Sequence, residues 1–346
     1  MKLSSPSRLP QCVRTSGTAQ VHLTLAIGDY EHIRDVATGV VQPQGIALTP
    51  LVLPIEEIAF RQLKNFEFDI AETSFAKYIS MTAAGNAPIV GIPVYPARLF
   101  RHSAIYVRKD SGIRDAKGLE GRVVGIPEWA QTAGVYLRGL LSEYYGVALD
   151  RIHWVQASVN EPGRAEKVTL NLPDHIHYES RPDRCLSDML VSGEIDAALT
   201  ARPPNSFLRG DKGVARLFPD FRVEEETYHQ ETGIFPIMHI VTIRRSVCEA
   251  YPWVAANMQT AFEYAKNASI ERMREITTSR IPLPWGAALA EQLSEKMGGD
   301  PWPYGVSANL KTLDAFCRFA HEQYLTPSRL TVEDIFPQEV IGKVRV

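Results

Sequence analysis

Residues 68–75 read Phe-Asp-Ile-Ala-Glu-Thr-Ser-Phe and combine a short apolar strand with the approach to a helix. The first four residues form the apolar run, and the polar Glu-Thr-Ser that follows leads into a helix ending near Gly85. The same order occurs earlier in the chain, where predicted strands 21–27 and 46–53 precede a helical pattern that begins at Pro54. Strands that alternate with helices in this way predict a parallel sheet with helices on its faces.

The chain then builds a second block of the same kind and returns to the first. The pattern predicts strands 89–95, 104–108, 195–199 and 237–243, and helices 132–145, 186–191, 253–266 and 310–324. A chain that leaves one lobe near Ser103 and returns near Pro236 makes a hinge of two strands. We therefore predict an α/β protein with two lobes, a two-strand hinge and a helical C-terminal tail. The predicted parts are an extension at 1–18, lobe one at 19–102 and 236–346, and lobe two at 103–235.

Composition excludes several classes of protein. The 346 residues are 45% hydrophobic and 22% charged with a formal net charge of −3, the profile of a globular chain without a polybasic face for nucleic acid or anionic lipid. No apolar run is long enough for a membrane-spanning helix, and the first residues lack the apolar core of a secretory signal. The four cysteines, Cys12, Cys185, Cys248 and Cys317, share no metal-like spacing. We therefore expect a cytoplasmic protein with unpaired thiols that binds neither nucleic acid nor membrane.

Side chains at the carboxyl ends of the predicted strands should face the cleft between the lobes, because ligands of open α/β sheets bind there. Ser74 and Thr132 lie at predicted helix beginnings, whose free N–H groups suit a carboxylate, although both also fit ordinary N-caps. The planar guanidinium of an arginine can form two hydrogen bonds with a carboxylate. Ion pairs between arginines and acidic residues of the chain are equally expected. The predicted substrate-binding residues are Asp29, Thr73, Ser74, Arg98, Arg101, Trp129, Gln131, Thr132 and Arg202.

Two histidines are the candidates for proton transfer. His102 and His239 lie where the chain crosses between the lobes, and imidazole is the side chain whose ordinary pKa is nearest neutrality; a structural role for each stays open. His175 and His177 could share one side of a strand as metal ligands, but no third ligand follows at matching spacing. Nucleotide-binding glycine loops, the His-Glu-x-x-His motif and the Gly-x-Ser-x-Gly elbow are absent from the sequence.

Five segments carry a resemblance to a known family. They are 68–75, 100–103, 125–133, 195–204 and 300–305, the last reading Asp-Pro-Trp-Pro-Tyr-Gly. In this order they resemble the bacterial 4,5-dihydroxyphthalate decarboxylases, within the group of enzymes that share the type II periplasmic-binding-protein-like fold. The resemblance implies loss of CO₂ from 4,5-dihydroxyphthalate to give protocatechuate, in bacterial phthalate breakdown. It supplies no catalytic residues, so the roles proposed for them come from chemistry and predicted position.

The implied reaction can run without an organic cofactor. Each carboxylate of the substrate is para to a phenolic hydroxyl. Moving a proton from that hydroxyl and adding one to the carbon that bears the carboxylate gives a dienone, whose ketone accepts the electrons left by CO₂. We expect His102, His239 and Glu72 to serve in proton transfer, with Asp29 near the phenols and Trp129 over the ring. The arginines and helix beginnings named above would hold the carboxylates.

Several alternatives stay open on sequence alone. The main rival is a non-catalytic protein that closes the same lobes on an aromatic carboxylic acid, and another enzyme of this fold is the second. A catechol can chelate a divalent metal, so a metal-assisted reaction stays open. A homo-oligomer also stays open, since Trp253, Trp285 and Trp302 in the tail could form its surface. The expected partner is a small aromatic dicarboxylate.

Overall fold

The computed structural model describes residues 20–85, 87–211 and 213–342, and the predicted extension 1–18 lies outside this part of the chain. The strands are β1 (Val21–Ile27), β2 (Ile46–Val52), β3 (Ile70–Ser74), β4 (Ile89–Ile92), β5 (Ile105–Arg108), β6 (Val123–Ile126), β7 (His153–Ser158), β8 (Tyr178–Cys185), β9 (Ala197–Leu199), β10 (Val214–Arg216) and β11 (His239–Arg244). The helices are α1 (Arg34–Ala37), α2 (Ile55–Asn65), α3 (Phe75–Ala83), α4 (Thr132–Gly139), α5 (Leu186–Ser192), α6 (Asn205–Leu208), α7 (Phe221–Thr232), α8 (Arg245–Ala250), α9 (Val254–Arg274), α10 (Gly286–Lys296), α11 (Leu310–Glu322), α12 (Val332–Ile335) and α13 (Gln338–Ile341). The predicted α/β class is confirmed.

The first sheet has the strand order β2-β1-β3-β11-β4. β1 runs parallel to β2 and β3, whereas the returning strand β11 is antiparallel to both of its neighbours, β3 and β4. In this register His239 lies opposite Ser74, and Val241 lies opposite Glu72. Since side chains alternate between the two faces of a strand, Glu72, Ser74 and His239 project from the same face of the sheet.

β3 is longer than the sequence predicts. The prediction ends this strand at Ala71, whereas the structure continues it to Ser74 and begins α3 at Phe75. Pairing with β11 gives the backbone of these polar residues its hydrogen-bond partners, so tertiary context overrides local propensity. The side chain of Thr73 is consequently buried within the sheet, where its Oγ1 lies 2.7 Å from Thr242 Oγ1. Thr73 thus packs inside the sheet in this structure, and its expected role in substrate binding stays a prediction.

The second sheet has the order β10-β5-β9-β6-β7-β8. β6 runs parallel to β7 and β9, and β7 runs parallel to β8, while β5 is antiparallel to β9 and β10. The sequence predicts no strand at β8 because this edge strand is mostly polar and partly exposed. Parallel pairing of the central strands brings their carboxyl ends to one edge of the sheet.

Two crossing segments connect the sheets and confirm the two-strand hinge. Arg98, which lies between β4 and β5, forms an antiparallel bridge with Ile237, which lies between β10 and β11. Beside it, Met238 N donates a hydrogen bond to Ala97 O at 2.8 Å. The residue boundaries given above for the two lobes stay a prediction.

The helical tail packs against both lobes. α11 buries Phe316 and Phe319 in the same core as α3 and α4. α11 and α4 approach closely at Gly139, where an added Cβ would lie 2.3 Å from the Phe319 ring. Among the helices of the described ranges, none combines the length and apolarity that crossing a bilayer requires.

Candidate active site

Glu72 and His239 form a hydrogen-bonded pair on the first sheet. His239 Nδ1 lies 2.6 Å from Glu72 Oε1, and the Glu72 side chain is fully buried while 22% of the His239 side chain is exposed. Burial alone would raise the pKa of Glu72, but hydrogen bonds and the charge of His239 outweigh it and lower this pKa below its ordinary value. The carboxylate therefore stays ionised and holds the imidazole with a proton on Nδ1, which leaves Nε2 available for proton transfer.

Two groups from the loop after β1 complete the hydrogen bonding of Glu72. Tyr30 Oη donates to Glu72 Oε1 at 2.7 Å, and the Gly28 amide donates to Oε2 at 2.9 Å. Glycine permits this approach, because a Cβ at Gly28 would lie 2.7 Å from the Tyr30 ring and 3.1 Å from Glu72 Oε2. Burial and then the nearby Glu72 charge raise the pKa of Tyr30, so its phenol stays a hydrogen-bond donor.

The two predicted helix beginnings meet where the lobes touch. Ser74 Oγ and Thr132 Oγ1 lie 3.0 Å apart, and the Ala76 amide donates to Thr132 Oγ1 at 3.0 Å. The Phe75 amide donates to Met238 O at 3.0 Å. Neither hydroxyl caps its own helix, so the N-cap alternative is wrong for both. The first two amides of α3 are instead occupied by the hinge and by the opposite lobe.

The Arg101 guanidinium forms no ion pair within 4 Å of a described residue, although the charge of Glu225 is near enough to favour its protonated form. Only 9% of the residue is exposed, and its Nε donates to Met238 Sδ at 3.2 Å. Desolvation lowers the pKa of Arg101 to about 10, so the group stays charged at neutral pH. Arg101 therefore presents a positive charge at the hinge, where it contacts the side chain of Met238 in the returning segment.

The other two predicted arginines already have partners. Arg98 donates from Nη1 to Pro303 O at 2.9 Å and from Nη2 to Phe235 O at 2.7 Å, so it ties the hinge to the C-terminal segment. Arg202 forms an ion pair with Glu56 of α2, and 69% of its side chain is exposed. Both arginines thus have other partners in this structure, and their expected role in substrate binding stays a prediction.

His102 lies in an aromatic pocket rather than in the cleft. Its buried ring packs among Tyr145, Phe218 and Tyr228, with centroid distances of 5.4 to 6.0 Å. Neither ring nitrogen has a hydrogen-bond partner among the described residues, and burial lowers the pKa of His102 to about 4. In this arrangement the ring is buried and neutral, and the expected role of His102 in proton transfer stays a prediction.

Trp129 is also buried away from the cleft. Its indole N–H donates to Gln323 O at 2.8 Å, and the Arg138 guanidinium carbon lies 4.0 Å from the ring centroid. These contacts place Trp129 in a buried core, and its expected role over a substrate ring stays a prediction. Asp29 is exposed in the loop that carries Tyr30. Gln131 directly precedes Thr132, and its buried Oε1 has no partner among the described residues.

The sequence analysis assigned no role to Tyr30 or to an ion cluster that joins the lobes. Lys77 of α3 lies 3.4 Å from Glu128 and 3.5 Å from Glu166 of lobe two. Tyr30 could have been found, since it lies in a predicted cleft loop where a buried carboxylate needs donors. The cluster left no signal, because its members are far apart in the chain.

The 300–305 segment supports the site from behind. The Trp302 ring centroid lies 5.1 Å from that of His32, which lies 5.6 Å from that of Tyr30. Trp302 Nε1 donates to Tyr95 O at 3.0 Å. The segment therefore fixes the loop that carries Tyr30 and, through Arg98, the hinge.

The described chain shows where the candidate metal ligands and thiols lie. His175 Nε2 is 3.2 Å from Tyr324 Oη, whereas His177 stacks on His153 with centroids 6.0 Å apart. Within the described ranges, no three His, Cys, Asp or Glu side chains converge as a metal-binding group. The described cysteines, Cys185, Cys248 and Cys317, are free, and Cys12 lies outside the described ranges.

Solved structures share the fold of this chain. The periplasmic aliphatic sulphonate binding protein SsuA from Escherichia coli matches with a TM-score of 0.52 at 14% identity, covering 93% of this chain and 99% of that protein. A periplasmic sulfonate-binding protein from Methylobacillus flagellatus matches with a TM-score of 0.51 at 13% identity, covering 93% of this chain and 92% of that one. The two-lobed periplasmic-binding-protein-like fold is thereby confirmed, and it fits a small-molecule ligand.

Curated relatives share much more of the sequence, although no family model matches the chain. A 4,5-dihydroxyphthalate decarboxylase from Pseudomonas putida is 39% identical over 202 residues, which are 58% of this chain and 78% of that protein. Another from Comamonas testosteroni is 34% identical over 319 residues, which are 92% of this chain and 97% of that protein. By this identity over nearly its whole length, the chain belongs to the 4,5-dihydroxyphthalate decarboxylase family.

Proposed function

We propose that this chain removes CO₂ from 4,5-dihydroxyphthalate to give protocatechuate, and that the Glu72–His239 pair transfers the proton. The reaction is that named for the Comamonas testosteroni relative, with 34% identity over 92% of this chain. The observation that carries the chemistry is the 2.6 Å contact between His239 Nδ1 and the buried Glu72 carboxylate.

The proposed reaction proceeds through a dienone. His239 Nε2 takes the proton of the hydroxyl para to the leaving carboxylate, while the carbon bearing that carboxylate gains the one proton that the overall reaction consumes. The bond to the carboxylate then breaks and CO₂ leaves. The electron pair of the broken bond stays with the ring, restores its aromaticity and turns the ketone into a phenolate. The phenolate then regains its proton from His239. No organic cofactor is needed, because the dienone ketone accepts the electrons.

The surroundings of Glu72 suit His239 to this task. When Nε2 accepts a proton, the positive charge on the ring is stabilised by the ionised Glu72, which Tyr30 and Gly28 hold in place. A carboxylate used in this way fixes both the tautomer and the orientation of a catalytic imidazole. Acid–base catalysis by a positioned side chain contributes about 10²–10⁴-fold to a rate.

Arg101 and the lobe contact would hold the carboxylates. We assign Arg101 to the carboxylate that remains on the ring, because its guanidinium stays charged at neutral pH and offers paired N–H donors. A carboxylate that replaces Thr132 Oγ1 at the Ala76 amide would use the positive end of α3. In this arrangement the ligand forms contacts with both lobes and favours their closure.

The test is to incubate the purified chain with 4,5-dihydroxyphthalate and measure protocatechuate by chromatography and released CO₂. His239→Ala should abolish turnover, whereas Arg202→Gln, at an exposed ion pair, is the matched control and should not. Repeating the assay with a chelator tests whether a divalent metal takes part. A folded wild-type chain that releases no CO₂ from this or any dihydroxyphthalate isomer would refute the proposal.

A non-catalytic binding protein is the second candidate, favoured by the structural match to the sulphonate-binding protein at a TM-score of 0.52. Such a protein would bind 4,5-dihydroxyphthalate in a one-to-one ratio and return it unchanged. Calorimetric titration combined with analysis of the recovered ligand separates the two functions.

A further inference from the structure

A groove of about 1270 Å³ lies between the lobes, and neither Glu72 nor His239 lines it. One wall comes from α2 and α3, and the other from segments 167–171 and 321–327. Much of the lining is apolar, including Leu63, Met81 and Leu170. A concave, mostly apolar space with a few polar groups is the usual form of a small-molecule site.

The ion cluster around Lys77 lies at this groove. Lys77 and Lys167 line the groove, and only 8% of the Lys77 side chain is exposed. Lys77 Nζ makes no hydrogen bond with the described residues, although Glu128 and Glu166 lie 3.4 and 3.5 Å away. Arg164 and Lys167 approach the same Glu128 oxygen at 2.5 and 3.6 Å.

The charges in this cluster do not balance. Three cations (Lys77, Arg164 and Lys167) face two carboxylates (Glu128 and Glu166), and the buried Arg138 adds further positive charge near Glu166, so the cluster is net positive. The remaining charged residues that line the groove, Lys64 and Glu322, have opposite signs. Since Lys77 and Lys167 of this cluster line the groove, its net positive charge favours a ligand that carries negative charge.

Aromatic side chains stand on both walls of the groove. Phe60 of α2 is exposed, and Tyr324 lies across from it after α11. Tyr324 has a φ of 64°, a left-handed conformation that is unfavourable for a bulky residue and that tends to occur at binding sites. Both side chains therefore offer aromatic surface to a ligand in the groove.

We infer that this groove is a second ligand site, separate from the Glu72–His239 pair, and that it binds an aromatic monocarboxylate. The carboxylate compensates the excess charge at Lys77 and Lys167, and the ring lies near Phe60 and Tyr324. Since both lobes line the site, the bound ligand stabilises the arrangement in which they are in contact. This inference does not depend on the decarboxylation proposed above.

The test is a titration of the full chain with 4-fluorobenzoate, followed by fluorine NMR. Wild type should show saturable binding, and Lys167→Met and Lys77→Met should each weaken it by about tenfold or more, as expected when a charged contact is lost. Lys109→Met, a matched change at an exposed lysine outside the groove, should leave the affinity unchanged. Lys167→Met should also keep turnover of 4,5-dihydroxyphthalate within about twofold of wild type, since a site apart from the reacting groups adds no transition-state contact.

Two results would overturn the inference. One is an unchanged affinity for 4-fluorobenzoate in folded Lys167→Met. The wild-type Lys167 side chain is 57% exposed, so this variant provides the test if Lys77→Met does not fold. The other is loss of binding in His239→Ala or Arg101→Gln with normal binding in both lysine variants, since the probe would then occupy the active site. A chain without decarboxylase activity that still shows the lysine-dependent binding would refute only the proposed function.

Discussion

Replacing Glu72 with glutamine tests the proposed proton-transfer pair most directly. One oxygen of Glu72 accepts hydrogen bonds from His239 and Tyr30, and the other accepts one from the Gly28 amide. Glutamine has one acceptor oxygen and one NH₂ group, so donors on one side lose their acceptor. Because hydrogen bonds to a charged group contribute about 1.5–3 kcal/mol and unsatisfied buried donors cost about 1–3 kcal/mol, the free energy of unfolding should fall by about 2–4 kcal/mol.

The same substitution should reduce kcat by about 10²–10⁴-fold, the usual contribution of acid–base catalysis. An amide NH₂ turned toward His239 Nδ1 favours the tautomer with the proton on Nε2, which cannot accept the proton of the substrate. KM should change much less, because Glu72 is fully buried and does not reach the cleft itself. Tyr30→Phe, which removes one donor and leaves the pair intact, should reduce kcat by only about tenfold.

Urea unfolding at a series of pH values gives an independent measure of the role of Glu72. The folded-state pKa of this carboxyl is lowered from its ordinary 4.5, so its stabilising contribution is fully present above that pH. The contribution is lost as pH falls through the folded-state value. The stability difference between wild type and Glu72→Gln should therefore be largest near neutral pH and narrow below about pH 4.5.

Initial-rate kinetics provide the result that would refute this reasoning. A folded Glu72→Gln protein with kcat within about threefold of wild type would show that the pair contributes none of the expected acid–base catalysis. Glu249→Gln, at an exposed carboxylate, is the matched control and should change neither kcat nor stability. Equal losses in both variants would point to a general effect on folding.

Three further changes test the other assignments. Arg101→Gln should raise KM by about tenfold or more through loss of a charged contact, whereas Arg202→Gln should shift it by less than about twofold; steady-state kinetics compares them. His102→Phe should keep kcat near wild type. Between pH 6.5 and about 4, the buried His102 ring takes up a proton only when the chain unfolds, so the wild-type protein loses stability as pH falls through this range. His102→Phe should remove that part of the loss, which urea unfolding at several pH values in this range measures. Thr132→Val should lower the free energy of unfolding by about 1–2 kcal/mol through its two cross-lobe hydrogen bonds, with Thr132→Ser as the control.

The fold could be predicted because its main signals are local. Short apolar runs that alternate with helical spacing gave the two sheets and the two crossings. The end of β3 was missed, because pairing with the distant strand β11 extends it through polar residues. No local pattern predicts that pairing. The register of the pairing determines that the side chain of Glu72, rather than that of Thr73, projects toward His239.

The candidate site could be predicted only in part. The contact between Glu72 and His239 follows from a topology that brings the ends of their strands together, while their catalytic role stays a prediction. Position in the chain could not predict the orientation or the partners of the other side chains. Arg202 pairs with Glu56, and Trp129 is buried against Arg138; both facts depend on packing between residues distant in sequence.

The distribution of the site between the lobes explains how a binding-protein body can support catalysis. Glu72 and His239 belong to neighbouring strands of one sheet, and β11 begins directly after a hinge crossing. Their 2.6 Å contact therefore does not depend on lobe closure, and it is preorganised in the sense that efficient catalysis requires. Lobe two contributes Thr132, which touches Ser74 only when the lobes meet. In the proposed mechanism, proton transfer is a property of lobe one, while enclosure of the substrate and exclusion of water depend on closure. Changes at the lobe contact should then alter KM without moving the pH dependence of kcat.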